Sequence, residues 1–125
     1  MKKIINDTLA PKAVGTYSQG VEIDGTFYFS GQIGINPETS QMVTTGFKDE
    51  LDQILKNIDH LLDGCQLTRE NIFKTTIFLT DLNNFSTVNE AYTKFFTTPY
   101  PARSCVEVSR LPKDALVEIE VLARN

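Results

Sequence analysis

Arg103 and Cys105 alternate with Ala102, Ser104 and Val106 in the segment 102–108. Glu118 and Glu120 alternate with Val117, Ile119 and Val121 in the segment 116–122. Side chains of a strand change face at every residue. Arg103 and Cys105 therefore share a face of their strand, Glu118 and Glu120 share a face of theirs, and a guanidinium, a thiol and a carboxylate can meet over one sheet. A guanidinium receives a carboxylate through two parallel charge-assisted hydrogen bonds. A carboxylate shuttles protons when burial brings its pKa near the working pH. The competing reading is a surface salt bridge beside a core strand, because most exposed Arg and Glu are only solvated charges.

Further candidates lie upstream. Tyr17 offers a phenolic hydroxyl from the loop Ala10–Gln19, which Pro11 and Gly15 punctuate. It serves equally well as an amphipathic lid on the core. Ser30-Gly31-Gln32 stands at a strand end, where glycine lets backbone approach a ligand closely. Asn89 belongs to a helix, as a surface residue or as part of a site. The single histidine, His60, lies beside the apolar stripe of another helix. It rules out a multi-histidine metal site and is poorly placed as the base of a Ser-His-Asp or Cys-His arrangement. Cys105 as a nucleophile has no base partner visible in the sequence. No G-x-G-x-x-G, Walker loop or G-x-S-x-G occurs. What remains suits a small anionic substrate whose chemistry needs proton movement and water, without metal or cofactor.

Composition narrows the class. The chain has 125 residues, 41% hydrophobic and 22% charged, as expected for one soluble domain spanning 1–125. A net charge of −4 argues against general affinity for nucleic acid. No run approaches the roughly 18 apolar residues of a membrane span. Cys65 and Cys105 form neither a C-x-x-C pair nor a zinc spacing, and read as free thiols of a reducing compartment. The start Met1-Lys-Lys-Ile-Ile-Asn-Asp is too short for a signal-peptide core. A cytoplasmic protein is expected.

The elements that must position these residues follow from periodicity. Residues 2–5 suggest an edge strand. Gln19–Ile23 and Thr26–Ser30 flank Asp24-Gly25, a strong hairpin signal. Residues 36–40 read as a turn-rich loop. Phe47, Leu51, Ile54, Leu55, Ile58, Leu61 and Leu62 predict a helix over 45–63, with Gly64 as its stop. Asn71–Thr80 is an apolar strand. Asp81 to Asn84 cap a second helix reaching about Thr97, with Phe85, Val88, Tyr92, Phe95 and Phe96 as its stripe. The unit 71–108 is strand, helix, strand, which demands a parallel crossover. The last strand either pairs directly with 102–108 or steps over one neighbour. The product is an α+β domain, one mixed sheet with two helices on one face. Strand 73–79 is apolar on both sides, so the second face is expected to be covered by a partner chain.

The segments Ala13-Val-Gly-Thr-Tyr-Ser-Gln19, Ser30-Gly-Gln-Ile33, Lys74-Thr-Thr-Ile-Phe78, Phe85-Ser-Thr-Val-Asn89, Pro101-Ala-Arg-Ser-Cys105, Leu111-Pro-Lys-Asp114 and Glu118-Ile-Glu120 occur in that order over nearly the whole chain. Together they are highly specific, and the chain resembles the RidA, or YjgF, family of small enamine/imine deaminases. Thr16 departs from the pattern, since relatives usually carry Pro there. The resemblance implies a chorismate-mutase-like fold with one strand lying between the last two. It implies a homotrimer with sites in the clefts between subunits. It further implies hydrolysis of 2-aminoacrylate and 2-iminopropionate, released by pyridoxal-phosphate enzymes, to pyruvate and ammonia. In that reading Arg103 holds the substrate carboxylate and Glu118 positions or activates water. Tyr17, Ser30, Gly31, Asn89 and Cys105 line the pocket. The alternative is a module that binds a small carboxylate and regulates a partner without significant turnover. RNA cleavage or translational inhibition, linked to some relatives, fits the acidic composition least.

Overall fold

The computed structural model describes all residues 1–125. Strands β1 (Lys3–Ile5), β2 (Gly20–Ile23) and β3 (Thr26–Phe29) form the N-terminal meander. Asp24 and Gly25 turn the β2–β3 hairpin with φ 50° and 82°. That is the pair of positive angles for which Asp-Gly is suited. A short hairpin, β4 (Ile35–Asn36) and β5 (Gln41–Met42), follows where the sequence suggested only a loop. Helix α1 (Phe47–Gly64) precedes β6 (Ile72–Leu79), then α2 (Phe85–Phe95), β7 (Ala102–Glu107) and β8 (Val117–Arg124). The Asp81 carboxylate accepts from the Asn83 amide, 2.9 Å, and starts the 3-10 turn that leads into α2.

The main sheet has the order β1-β2-β3-β8-β6-β7. The β6–β7 pair is parallel and β6–β8 antiparallel, so β8 steps over β6 instead of pairing with β7. Of the two routes open to the last strand, this is the one the family resemblance implied. One face of the sheet carries Thr75, Ile77 and Leu79 of β6 with Val117, Ile119, Val121 and Ala123 of β8. These residues pack against Leu51, Ile54, Ile58, Leu61 and Leu62 of α1 and Val88, Ala91, Tyr92 and Phe95 of α2. Both helices thus lie on one face, as the stripes at three- and four-residue steps require. The opposite face is partly apolar and open: Ile4, Tyr28 and Val106 are 58%, 44% and 44% exposed, beside half-buried Val21, Phe78 and Leu122.

Register decides which side each candidate residue takes. Arg103 pairs with Thr75 and Cys105 with Ile77, both on the helix face. Glu118 pairs with Phe78 and Glu120 with Thr76, both on the open face. Arg103 and Cys105 share a face as their alternation implies, but the meeting of guanidinium and thiol with the carboxylate over one face, which the sequence allowed, does not occur within a single chain. Alternation along each strand gives the residues that share a face of that strand. Only the pairing through β6 gives the face of the sheet, and it sets the two strands' polar faces on opposite sides.

Candidate active site

The candidate residues fall into two separate groups, each a candidate half-site. The first is built by β7 and α2. Arg103 Nη1 donates to Asn89 Oδ1 at 2.8 Å. Its guanidinium carbon lies 4.9 Å from the Phe85 ring centre and 5.9 Å from that of Tyr92. Phe85, Asn89 and Tyr92 stand at steps of four and three along α2, which puts them on one helix face above β7. No carboxylate pairs with Arg103; the chain's three ion pairs are Lys48–Asp52, Arg69–Asp59 and Arg110–Asp114. A full cation is thus held by an amide oxygen and two aromatic faces, all neutral. It opens on a cavity of about 370 Å³ lined by Asn89, Tyr92, Thr93, Tyr100, Pro101 and Arg103.

Beneath Arg103 the Tyr92 side chain is buried, 5% exposed. Burial pushes its phenol up to about 12, against the opposing pull of the Thr75 hydroxyl and the Arg103 charge. Tyr92 therefore stays protonated and adds no anion beside the guanidinium. The Thr75 and Tyr92 hydroxyls are near enough to influence one another, but neither makes a well-formed hydrogen bond. Cys105 is half-buried and lines neither this cavity nor the second one described below. Burial pushes its thiol up more than Arg103 pulls it down, the opposite of what an activated nucleophile needs.

The second half-site lies where β8 meets the strand end after β3. Gln32 and Ile119 exchange backbone hydrogen bonds of 2.8 and 3.0 Å, which brings Gly31 against Glu118. A Cβ built on Gly31 would fall on the Glu118 carboxylate, so glycine here leaves the space the carboxylate occupies. Burial raises the pKa of half-buried Glu118, and neighbouring Glu120 raises it further. Ser30 Oγ donates to the Ser18 carbonyl at 2.6 Å, and the Ser30 amide donates to the Gln19 carbonyl at 2.9 Å. Ser30 thus pins the Tyr17 loop and can offer a ligand only acceptor capacity. Buried Gln19 holds the same loop from below. Its Oε1 accepts from the Asp7 amide at 2.6 Å, and its Nε2 donates to the Asp7 and Pro11 carbonyls at 3.0 and 2.8 Å. Tyr17, Ser30, Gly31 and Glu118 line a cavity of about 390 Å³ with Lys12 and Lys113 at its walls.

The structure therefore gathers Tyr17, Ser30, Gly31 and Glu118 in one place and Arg103 and Asn89 in another, with Cys105 beside the second group. Sequence reasoning missed the part that Phe85 and Tyr92 take beside Arg103 and read both only as core stripe. Their spacing with Asn89 is the signal that could have found them. It also missed Lys12 and Lys113.

A family model described as Endoribonuclease L-PSP matches residues 7–125. The 2-iminobutanoate/2-iminopropanoate deaminase of Homo sapiens is 44% identical over 125 residues, covering 98% of this chain and 90% of the relative. The protein of the same name from Mus musculus is 43% identical over 123 residues, covering 98% and 91%. Among solved structures, the conserved Rid-family protein YyfA of Yersinia pestis superposes with a TM-score of 0.97 at 48% identity, covering both chains fully. Escherichia coli TdcF, solved with bound serine, superposes with a TM-score of 0.92 at 41% identity, covering 98% of each chain. On the matched length, the identities and the shared fold, the chain belongs to the Endoribonuclease L-PSP family, the YjgF/RidA family whose motifs run through its sequence.

Proposed function

We propose that the protein is a 2-iminobutanoate/2-iminopropanoate deaminase. It hydrolyses reactive enamine and imine intermediates, 2-aminoacrylate among them, released by pyridoxal-phosphate enzymes. The observation that carries the reading is the Arg103 guanidinium, unpaired with any acid and held by neutral groups at the wall of a cavity. Such a group is a ready receptor for a small carboxylate. The names of the mammalian relatives give the substrate class.

Arg103 holds the substrate carboxylate, with Asn89 fixing the guanidinium. Glu118, its pKa raised by burial, supplies a proton to the enamine carbon and converts 2-aminoacrylate to the iminium form. As a carboxylate it then takes a proton from water as the oxygen adds to the C=N carbon. The resulting carbinolamine expels ammonia as its hydroxyl proton passes to the nitrogen, and Glu118 is left protonated for the next turn, so that enamine and water give 2-oxo acid and ammonia. Tyr17, Ser30 and Gly31 line the Glu118 side, and Cys105 stands beside Arg103. Positioning of substrate and water does most of the work.

Because Arg103 and Glu118 take opposite faces of the sheet, the reading requires a second copy to bring them together. A homotrimer with sites between subunits supplies it, and the partly apolar open face is the surface available for such contacts. Each chain contributes as one domain over 1–125. The thiols Cys65 and Cys105, unpaired here, fit a cytoplasmic setting, and no helix is long and apolar enough to cross a membrane. The separation of the half-sites also favours one second reading, a carboxylate-binding module without significant turnover, since a lone chain presents Arg103 without Glu118.

The test couples a dehydratase that generates 2-aminoacrylate to the protein and follows 2-oxo-acid release. Wild type accelerates release above the spontaneous rate. Arg103→Lys keeps the charge and loses the fork, and is expected to lose turnover by a factor equivalent to about 2–5 kcal/mol while folding normally. Binding of a 2-oxo acid without acceleration by wild type leaves the module reading; full activity in Arg103→Lys removes the anchor.

A further inference from the structure

An exposed arginine that grips a ligand ordinarily gives up rotamer freedom in doing so. Arg103 has already given up much of it. Asn89 accepts one of its five N–H donors at 2.8 Å. The Phe85 ring lies 4.9 Å from the guanidinium carbon on one turn of α2, and the Tyr92 ring lies 5.9 Å away two turns on. Both rings attract the cation through their faces. An acid at either position would hold Arg103 as firmly but would occupy the charge that a ligand needs. Aromatic faces leave it available. We infer that Phe85 and Tyr92 are positioning residues that turn Arg103 into a preorganised carboxylate receptor. The inference rests on the reading of Arg103 as the substrate anchor and adds what makes the anchor rigid. Preorganisation acts on binding more than on the chemical step, because it removes an ordering cost that every bound acid would otherwise carry. The proton transfers are assigned to Glu118, which lies on the other face of the sheet from Arg103 and its two rings, so the loss of a ring should appear in KM and in the Kd of a 2-oxo acid.

The experiment measures three quantities on the full chain: steady-state kcat and KM, the Kd of pyruvate, and the Arg103 Nε–Hε resonance by NMR. In wild type that resonance should be shifted upfield by the two rings and exchange slowly with water. Phe85→Leu keeps an apolar side chain of similar bulk. It should raise KM and the pyruvate Kd roughly three- to tenfold, change kcat about twofold or less, and move the resonance toward that of a free arginine. Phe85→Tyr and Tyr92→Phe keep a ring and should retain wild-type affinity, whereas Tyr92→Leu should not. An Arg103 resonance that already resembles a free arginine in wild type overturns the inference whatever the variants do. So does an unchanged Kd in Phe85→Leu, a loss confined to kcat, or a loss in Tyr92→Phe equal to that in Tyr92→Leu. If wild type shows no turnover at all, the deaminase reading fails, while Kd and the resonance still decide the part the two rings play.

Discussion

Glu118 sits where a charge is costly, and the cost has a sign that can be followed. Its ordinary pKa of 4.5 is raised in the fold, first by burial and then by Glu120. The folded chain therefore keeps a proton that the unfolded chain releases, and stability falls as pH rises through the window between the two values. The contribution is complete below 4.5 and lost above the folded value. Glutamine carries no such loss. Glu118→Gln is expected to be more stable than wild type at neutral pH, with the gap closing as pH falls toward 4.5, in urea melts across a pH series. The same variant should lose turnover on the order of 10²-fold or more and still bind a 2-oxo acid. Intact turnover would remove Glu118 as the proton carrier. Gly31 offers a second test from outside. A methyl there collides with the movable end of Glu118, not with backbone. Gly31→Ala should therefore fold normally and lose turnover toward the level of Glu118→Gln. A Gly31→Ala protein as active as wild type would show that the carboxylate's place is not critical.

At the scale of elements, the loop that carries Tyr17 depends on Gln19, which is 3% exposed and spends both ends of its amide on backbone groups of residues 7–11. Gln19→Leu keeps the bulk and leaves those groups unpaired. It should destabilise the fold by about 1–3 kcal/mol in chemical denaturation and loosen the Tyr17 loop, seen as faster amide exchange near residues 7–18. A change smaller than the error of the melt would mean that solvent replaces these bonds freely. Most elements were legible beforehand because each has a period. The α1 stripe, the Asp24-Gly25 turn and the strand-helix-strand unit are local patterns, and the structure moves their ends by a few residues. The β4–β5 hairpin was missed because strands of two residues are too short to show alternation. The site was legible as a set of residues and illegible as an arrangement. Nothing in 102–108 or 116–122 says that Ile77 will oppose Cys105 while Phe78 opposes Glu118. That one-residue step along β6 separates the half-sites, and it is a property of pairing between distant segments. Phe85 and Tyr92 were hidden for another reason. An aromatic ring at helical spacing reads as core, and its second use becomes visible only when a guanidinium lies across it.

At the scale of the whole molecule, the separation of Arg103 from Glu118 makes a mixing experiment decisive. Arg103→Ala and Glu118→Gln chains, each inactive alone, should regain activity when they assemble together if the site is shared as proposed, because a mixed cleft would take its arginine from one and its carboxylate from the other. Random trimers from equal amounts should carry intact sites at about one position in four. Recovery near that fraction, with a trimer mass by light scattering, supports the shared site; no recovery, or a stable monomer in dilute solution, rejects it. The sheet itself then has a kinetic meaning. Arg103 and Glu118 are held apart by a hydrogen-bonded layer that no loop movement can cross, so on the proposed shared site the chain would have no route to catalysis by shape change alone and would depend on mass action. On progressive dilution its specific activity should fall in step with dissociation, while its capacity to take up a small acid at Arg103 persists. Below that threshold the proposal makes the same polypeptide a reservoir for acids and no longer a means of converting them.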